Sequence, residues 1–441
     1  MIKFTFMGAG STVFAKNVLG DCLICPELKG MEIALYDINA ERLEDSALML
    51  EAINRKYKSG ATIKTYLGVS KRKQALRGAD YVCNAIQVGG YDPCTITDFE
   101  IPKKYGLRQT IADTLGIGGI FRALRTAPVI LDFLSDMEQV CPNAFFINYT
   151  NPMAIITGVM QMASSIKSVG LCHSVQGCAR WLMTDVGVGN EYNEDDISYF
   201  IAGINHQAWL LRIEQNGVDI YTKLKKLADK MKKNPPHPDS VRLKMMKTFG
   251  YYVTESSEHT SEYLPYFIKS SQPELIDQYN IPLDEYPRRC VDLIEGWKKQ
   301  RASLTKKKTL EHKMSGEYAS HIIKAMTFNK PYTLGGNVLN TNGYISNLPR
   351  EACIEVPCLV NGAGLQPTAV GNLPEQLAAL NRTNINPQIL TMKACFSHKK
   401  EDVYHAALLD PHTSAELNID QIISLCDELF EAHKGWLPEY K

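Results

Sequence analysis

The chain has 441 residues, 45% hydrophobic and 22% charged, and its 48 basic side chains match its 48 acidic ones. That balance fits a soluble globular protein of two or three units with a large core, and it argues against nucleic acid or another polyanion as partner. No apolar run reaches the roughly 18 residues of a membrane-spanning helix, and "MIKFTFMGAG" enters a strand at once, without a secretory leader's layout. The 12 cysteines are scattered, which suits reduced thiols in the cytoplasm. Cys22-x-x-Cys25, a single such pair, reads as two packed thiols.

Residues 2–7 predict a short apolar strand, followed by "GAGSTVFAKNVLGDCL" with helical periodicity at Phe14, Val18 and Leu19. A strand, a glycine turn (Gly8, Gly10, Ser11) and a helix N-terminus make a place for phosphate, because free N–H groups and the helix dipole point at it. Val13 stands where a third glycine is usual. A second strand at 31–36 ends in Asp37, placed to accept a ribose 2′-OH and to repel a 2′-phosphate, so NAD is expected rather than NADP. A helix over about 40–57, a strand at 62–67 and a buried strand closing on Gly89–Gly90 continue the alternation. The expected class is α/β, a Rossmann-type doubly wound parallel sheet over residues 1–195.

Two stretches fall where such a sheet binds its ligand. "ADTLGIGGIFRALRT" is a glycine-rich turn opening a helix with Arg122 and Arg125 on one face. "AFFINYTNP" is a strand ending in Asn148 and Asn151; a strand-end Asn can orient a nicotinamide ribose or substrate hydroxyl, or cap the next helix. "VGLCHSVQG" then ends an apolar run in adjacent Cys172 and His173, and "AGINH" places His206 before an alternating strand-like run. A thiolate and an imidazole can hold a divalent ion and leave positions open for substrate. They can equally be a buried thiol and an unrelated, backbone-satisfied histidine.

Residues 196–441 carry no second glycine fingerprint and no internal repeat. They mix strands ("DISYFIAGI", "EACIEVPCLV") with helices ("EYASHIIKAMTF", "QIISLCDELFEAH"), and predict an α+β substrate and metal-binding domain wrapped on the first. The glycine- and proline-rich stretches 334–350 and 361–374 read as loops, and "KLKKLADKMKKNPPHP" at 223–238 as a solvated helix face entering a proline-rich loop.

The ordered segments "GAGSTVFAKN", "GGYDPCTITDFE", "NYTNPMA", "GLCHSVQG", "AGINH", "ESSEH--EY-P-F", "PLDEYP-RC" and "VYHAALLDPHT" resemble, over essentially the whole chain, glycoside hydrolase family 4, relatives of lactate and malate dehydrogenases. The likeness is closest to the family's melibiose-type α-galactosidases. It implies bound NAD+ and Mn2+, an unphosphorylated α-galactoside as substrate, and a homodimer or homotetramer. It also implies hydrolysis by C3 oxidation, C2 deprotonation, elimination, water addition and re-reduction, an exception to the two-carboxylate route. By position in the motifs, Cys172 and His206 match metal ligands and Asn151 a substrate contact, with Asp113 and Arg289 as further sugar contacts. Tyr263 matches the C2 base, with Tyr266 as rival, and His259 is a candidate neighbour of the ligands. His173 stands where phospho-specific members carry an acidic leaving-group acid, and Cys94 where they carry a phosphate-binding Arg. α-Glucosidases and α-galacturonidases share these motifs. A 2-hydroxyacid dehydrogenase, with Arg122 and Arg125 clamping a carboxylate, or a non-catalytic NAD-binding module would lack a use for Cys172 and His206.

Overall fold

The computed structural model describes residues 1–191, 193–231 and 236–441. Its first half is built on β1 (Lys3–Met7), β2 (Glu32–Asp37), β3 (Thr62–Leu67), β4 (Tyr81–Asn84), β5 (Phe145–Asn148) and β6 (Ser168–Gly170). They lie parallel in the order β3-β2-β1-β4-β5-β6. Parallel neighbours need long crossovers, and helices such as Val13–Ile24, Ala40–Tyr57, Gly116–Val140 and Met153–Ala163 supply them. Period-two alternation sends Phe4, Phe6, Ile33 and Leu35 into one core and Met7, Tyr36, Val82 and Phe146 into another. Both faces are apolar because helices cover both. The expected α/β class is the one observed. The strand order reverses between β1 and β4, the place where such sheets hold ligands.

The second half continues the same sheet with mainly antiparallel strands: β7 (Ile197–Ile204), β8 (Gln207–Gln215), β9 (Val218–Asp219), β10 (Tyr252–Val253), β11 (Tyr332–Leu339), β12 (Cys353–Asn361) and β13 (Gly364–Pro367). From β6 the order runs β11, β12, β7, β8, β10. The junctions are single rungs, Asn337 on Gly170 and Glu355 on Gly203, and Asn337 also opposes Glu355. One row of four residues thus ties the parallel half to the β7–β8 hairpin. The helices Glu375–Ser397, Lys400–Leu409 and Ile419–Ala432 pack back onto the helices of the first half.

Part of each stretch expected as loop is strand. β11 runs through Gly335 and Gly336, and β13 pairs with β12. The glycines mark close approach, since a Cβ would stand 2.8 Å from Val175 at Gly335 and 2.8 Å from Cys358 at Gly336. The basic run begins as the helix Tyr221–Lys230, with Tyr221 and Leu224 inward and Lys223 and Lys226 exposed; residues 232–235 of that run lie outside the described residues. All 12 cysteines are free. Among the described residues no helix is long and apolar enough to cross a membrane.

Arg122 and Arg125 do not form the two-armed clamp their spacing allowed. The Arg125 guanidinium forks onto Asp98 at 3.1 and 2.5 Å and donates to the Val88 carbonyl, and His433 closes on the same carboxylate at 2.8 Å. This buried cluster joins the helices Ile96–Lys104 and Gly116–Val140 to the C-terminal segment. Removing the charge of one partner strands the other. Asp98→Asn is therefore expected to lower unfolding stability by about 3 kcal/mol or more, read as a shift in the urea midpoint; a shift below about 1 kcal/mol would exclude this role.

Candidate active site and metal centre

The turn after β1 is set by Gly8, whose φ of 89° is left-handed and where a Cβ would stand 2.8 Å from the Ala85 carbonyl oxygen. Asp37 accepts from the Gly10 N–H at 2.6 Å and the Asn39 N–H at 2.8 Å. The expected ribose acceptor thus also braces the glycine turn, and each oxygen keeps a second lone pair for a hydroxyl. Ser11 Oγ is buried without a protein partner at the entry to the helix Val13–Ile24. An orphaned hydroxyl beside free helix N–H groups fits a pyrophosphate.

Asn148, the expected ribose contact, has partners within the protein. It is fully buried and accepts from Asn84 Nδ2 at 2.9 Å, while its own Nδ2 donates to the Thr150 carbonyl and to Thr157. Its amide braces the carboxyl ends of β4 and β5.

Cys172 follows β6, His206 lies in the tight turn between β7 and β8, and Glu255 follows β10. Their ligand atoms lie within 4.8 Å of one another. The Cys172 thiol is 3.8 Å from Glu255 Oε2, and His206 Nε2 is 3.6 Å from the same oxygen. Donors bonded at about 2.0–2.6 Å to one ion would stand this close together. Burial works to raise the Glu255 carboxyl, but His259 and His206 outweigh it and hold it at about 2. Burial and the charges of Glu255 and Glu355 push the Cys172 thiol up. A thiol made hard to ionise beside a carboxylate kept ionised is a site short of positive charge, as a cation-binding site should be. Glu255 was not singled out from the sequence, although "ESSEH" contains it; its strand is only two residues long and carries no periodicity.

His259 packs edge-on against His206 with centroids 4.6 Å apart, 3.9 Å from Glu255 and 4.0 Å from Asp113. Asp113 accepts from Asn151 Nδ2 at 3.1 Å and lies 3.9 Å from Arg122. Burial opposes its ionisation, yet Arg122, His259 and His206 keep its carboxyl below the usual range. Arg122 also donates to the Asn151 carbonyl and to Tyr286. The loop carrying Asp113 is fastened by Glu262, which accepts from the N–H groups of Thr110, Ile111 and Ala112. So Asn151, Asp113 and Arg122 form a polar wall continuous with the Cys172–His206–Glu255 group.

Tyr263 ends the helix Ser257–Tyr263, is 1% exposed, and donates to the Asn205 carbonyl at 3.4 Å. Burial, then Asp113, Glu255 and Cys172, push its phenol well up. Its rival Tyr266 lies at the surface, stacked on Phe249. Arg289 is turned to Glu285 at 2.9 Å and Glu258 at 3.5 Å on an exposed helix face, so its charge is committed to carboxylates. Cys94 is fully buried beneath Gly89, its thiol pushed up to about 11 by burial.

His173 is half exposed, its ring between Tyr149 and Tyr318, with Nε2 2.8 Å from Glu317. The Glu317 hydrogen bond raises its pKa above the ordinary value against the pull of burial. A pKa raised by folding means stabilisation from this pair is present below the unfolded value and fades as pH rises through the folded one. Glu317→Gln is expected to bring the His173 titration, followed by NMR of its ring protons, down toward about 6.5; an unmoved midpoint would show that Glu317 does not hold the proton.

The family 4 glycosyl hydrolase model matches residues 3–188, and the model of that family's C-terminal domain matches residues 201–413. An α-galactosidase of Bacillus subtilis is 58% identical over 441 residues, all of both chains. An α-galactosidase of Rhizobium meliloti is 32% identical over 99% of this chain and 89% of its own length. A crystal structure of a 6-phospho-α-glucosidase from gut microorganisms, in complex with NAD and Mn2+, superposes with a TM-score of 0.81 at 19% identity over 100% of both chains.

Proposed function

This chain belongs to family 4 of the glycosyl hydrolases, and we propose that it is an α-galactosidase that cleaves unphosphorylated α-galactosides of the melibiose or raffinose type with NAD+ and Mn2+ bound. Both full-length relatives named above carry that activity in their names. The observation that carries the reading is the meeting of Cys172, His206 and Glu255 beside the Asn151–Asp113–Arg122 wall. When bound, NAD+ supplies a hydride acceptor and the divalent ion a Lewis acid for neighbouring sugar hydroxyls.

The chain's own groups do the rest. Gly8, Gly10 and Ser11 cradle the pyrophosphate, and Asp37 takes ribose hydroxyls on its remaining lone pairs. The Cys172 thiolate, His206 Nε2 and a Glu255 oxygen hold the ion. Asn151 and Asp113 orient the sugar hydroxyls. Tyr263 takes the C2 proton, and His173 gives one to the departing oxygen, its charge sustained by Glu317. An unphosphorylated sugar is favoured because Cys94 is an un-ionised buried thiol and the guanidinium beside it, Arg125, is committed to Asp98. The chain works as a homodimer or homotetramer in the cytoplasm. The exposed helix Glu285–Thr305, with no fully buried residue and Leu293 73% exposed, suits assembly, and free thiols throughout suit a reducing compartment.

A panel of nitrophenyl glycosides with NAD+, Mn2+ and reductant, each omitted in turn, tests the assignment. The α-galactoside should be cleaved only with the full mixture, and no NADH should accumulate with product; turnover that survives removal of NAD+ would sink the proposal. Cys172→Ser should lower kcat by at least about 100-fold while the affinity for NAD+, followed by fluorescence titration, stays unchanged.

A further inference from the structure

His206 presents Nε2 toward Glu255, but its Nδ1 is buried and has no protein partner. Glu355 on β12, 1% exposed, lies near enough for the His206 charge to favour its ionised form. Glu355 Oε1 accepts from Asn337 Nδ2 at 3.0 Å, whereas Oε2 has no partner. The Asn205 amide, from the residue before His206, makes no hydrogen bond of good geometry but faces Glu355 closely enough to favour its charged form. These groups are brought together by the row that joins the two halves of the sheet. Glu355 opposes Gly203 at the entry to the His206 turn, and Asn337, which also donates to the Gly170 carbonyl at 3.3 Å, opposes Glu355.

A buried donor or acceptor left unmade costs about 1–3 kcal/mol, so adjacent orphans of complementary kind signal an interaction the site is built to complete. An imidazole that offers Nε2 to an ion carries its proton on Nδ1 and needs an acceptor there, and that acceptor fixes the ring and strengthens its other nitrogen as a donor. We infer that Glu355, held by Asn337, is the positioning carboxylate for His206, accepting its Nδ1–H directly or through one bound water. The inference rests on the reading of His206 as a metal ligand. The place of Glu355 and Asn337 in the middle of two strands gives them no look of function in the sequence.

The test is the affinity of the NAD-loaded chain for Mn2+, measured by the loss of the free-ion EPR signal, in wild type, Glu355→Gln and His206→Ala. Glu355→Gln keeps volume and the Asn337 contact while weakening the acceptor. It should bind Mn2+ about 10- to 100-fold more weakly, with NAD+ affinity and the melting temperature of the metal-free chain unchanged. Wild-type affinity in Glu355→Gln, alongside lost binding in His206→Ala, would overturn the role of Glu355 and leave the metal reading standing. Undiminished binding in His206→Ala would overturn both. Should Glu355→Gln fail to fold, histidine-selective 15N NMR of the wild-type, metal-free chain decides: a proton on Nδ1 of His206 supports the inference, and a proton on Nε2 overturns it.

Discussion

A carboxylate kept ionised inside the protein, beside a thiol that burial resists ionising, is the interaction on which the rest of the site depends. Glu255 stays charged because His259 and His206 face it, and the same rings also favour the charged form of Asp113. Arg122 is the largest of the charges that do so at Asp113, which ties the helix Gly116–Val140 into the same electrostatic unit. Burying a charge is tolerated only where others compensate it. The neighbours of Cys172, His206 and Glu255 are therefore ordered by charge as much as by shape: imidazole against carboxylate, guanidinium against the next carboxylate, amide between them.

The sheet is what allows three short segments to meet. Single rungs at Asn337–Gly170 and Glu355–Gly203 join a parallel dinucleotide-type half to an antiparallel half. Few backbone bonds hold these junctions, so side chains share the load: Asn337 bonds both the Gly170 carbonyl and Glu355. The bridging strands pass under the site, close-packed through Gly335 and Gly336, and leave the ends of β6 and β10 and the β7–β8 turn to converge above them. The two halves cooperate because the segments of the Cys172–His206–Glu255 cluster hang from both sides of this joint.

What the sequence made legible follows from range. The turn at Gly8 and Gly10, Asp37, Cys172 and His206 stand at the ends of apolar runs, where a local pattern stops for a reason that residue type alone suggests. The protein partners of Asn148, Arg125 and Arg289 were not legible because the fold sets them: Asn84 on the next strand, Asp98 on another helix with His433 from the far end of the chain, and Glu258 on a different element. Glu255 escaped notice because carboxylates are common and a two-residue strand has no period. The glycines of β11 were read as punctuation, yet their meaning was a neighbouring side chain that no local rule contains.

The same electrostatics bind proton abstraction to ion binding in the proposed reaction. The charges that raise the Tyr263 phenol, Asp113, Glu255 and Cys172, include the two anionic donors proposed for the ion. With those donors uncompensated, the phenol gives up its own proton less readily than tyrosine in water and is seldom present as the phenolate that a base must be. With a doubly charged cation between them, the thiolate and Glu255 are neutralised, Asp113 is already matched by Arg122, and the penalty on a phenolate falls. A base that becomes competent only when the donor cluster is filled cannot act on a sugar before the ion is in place. No dedicated lid is required for this order of events: it follows from placing one phenol against the same carboxylates that do the holding.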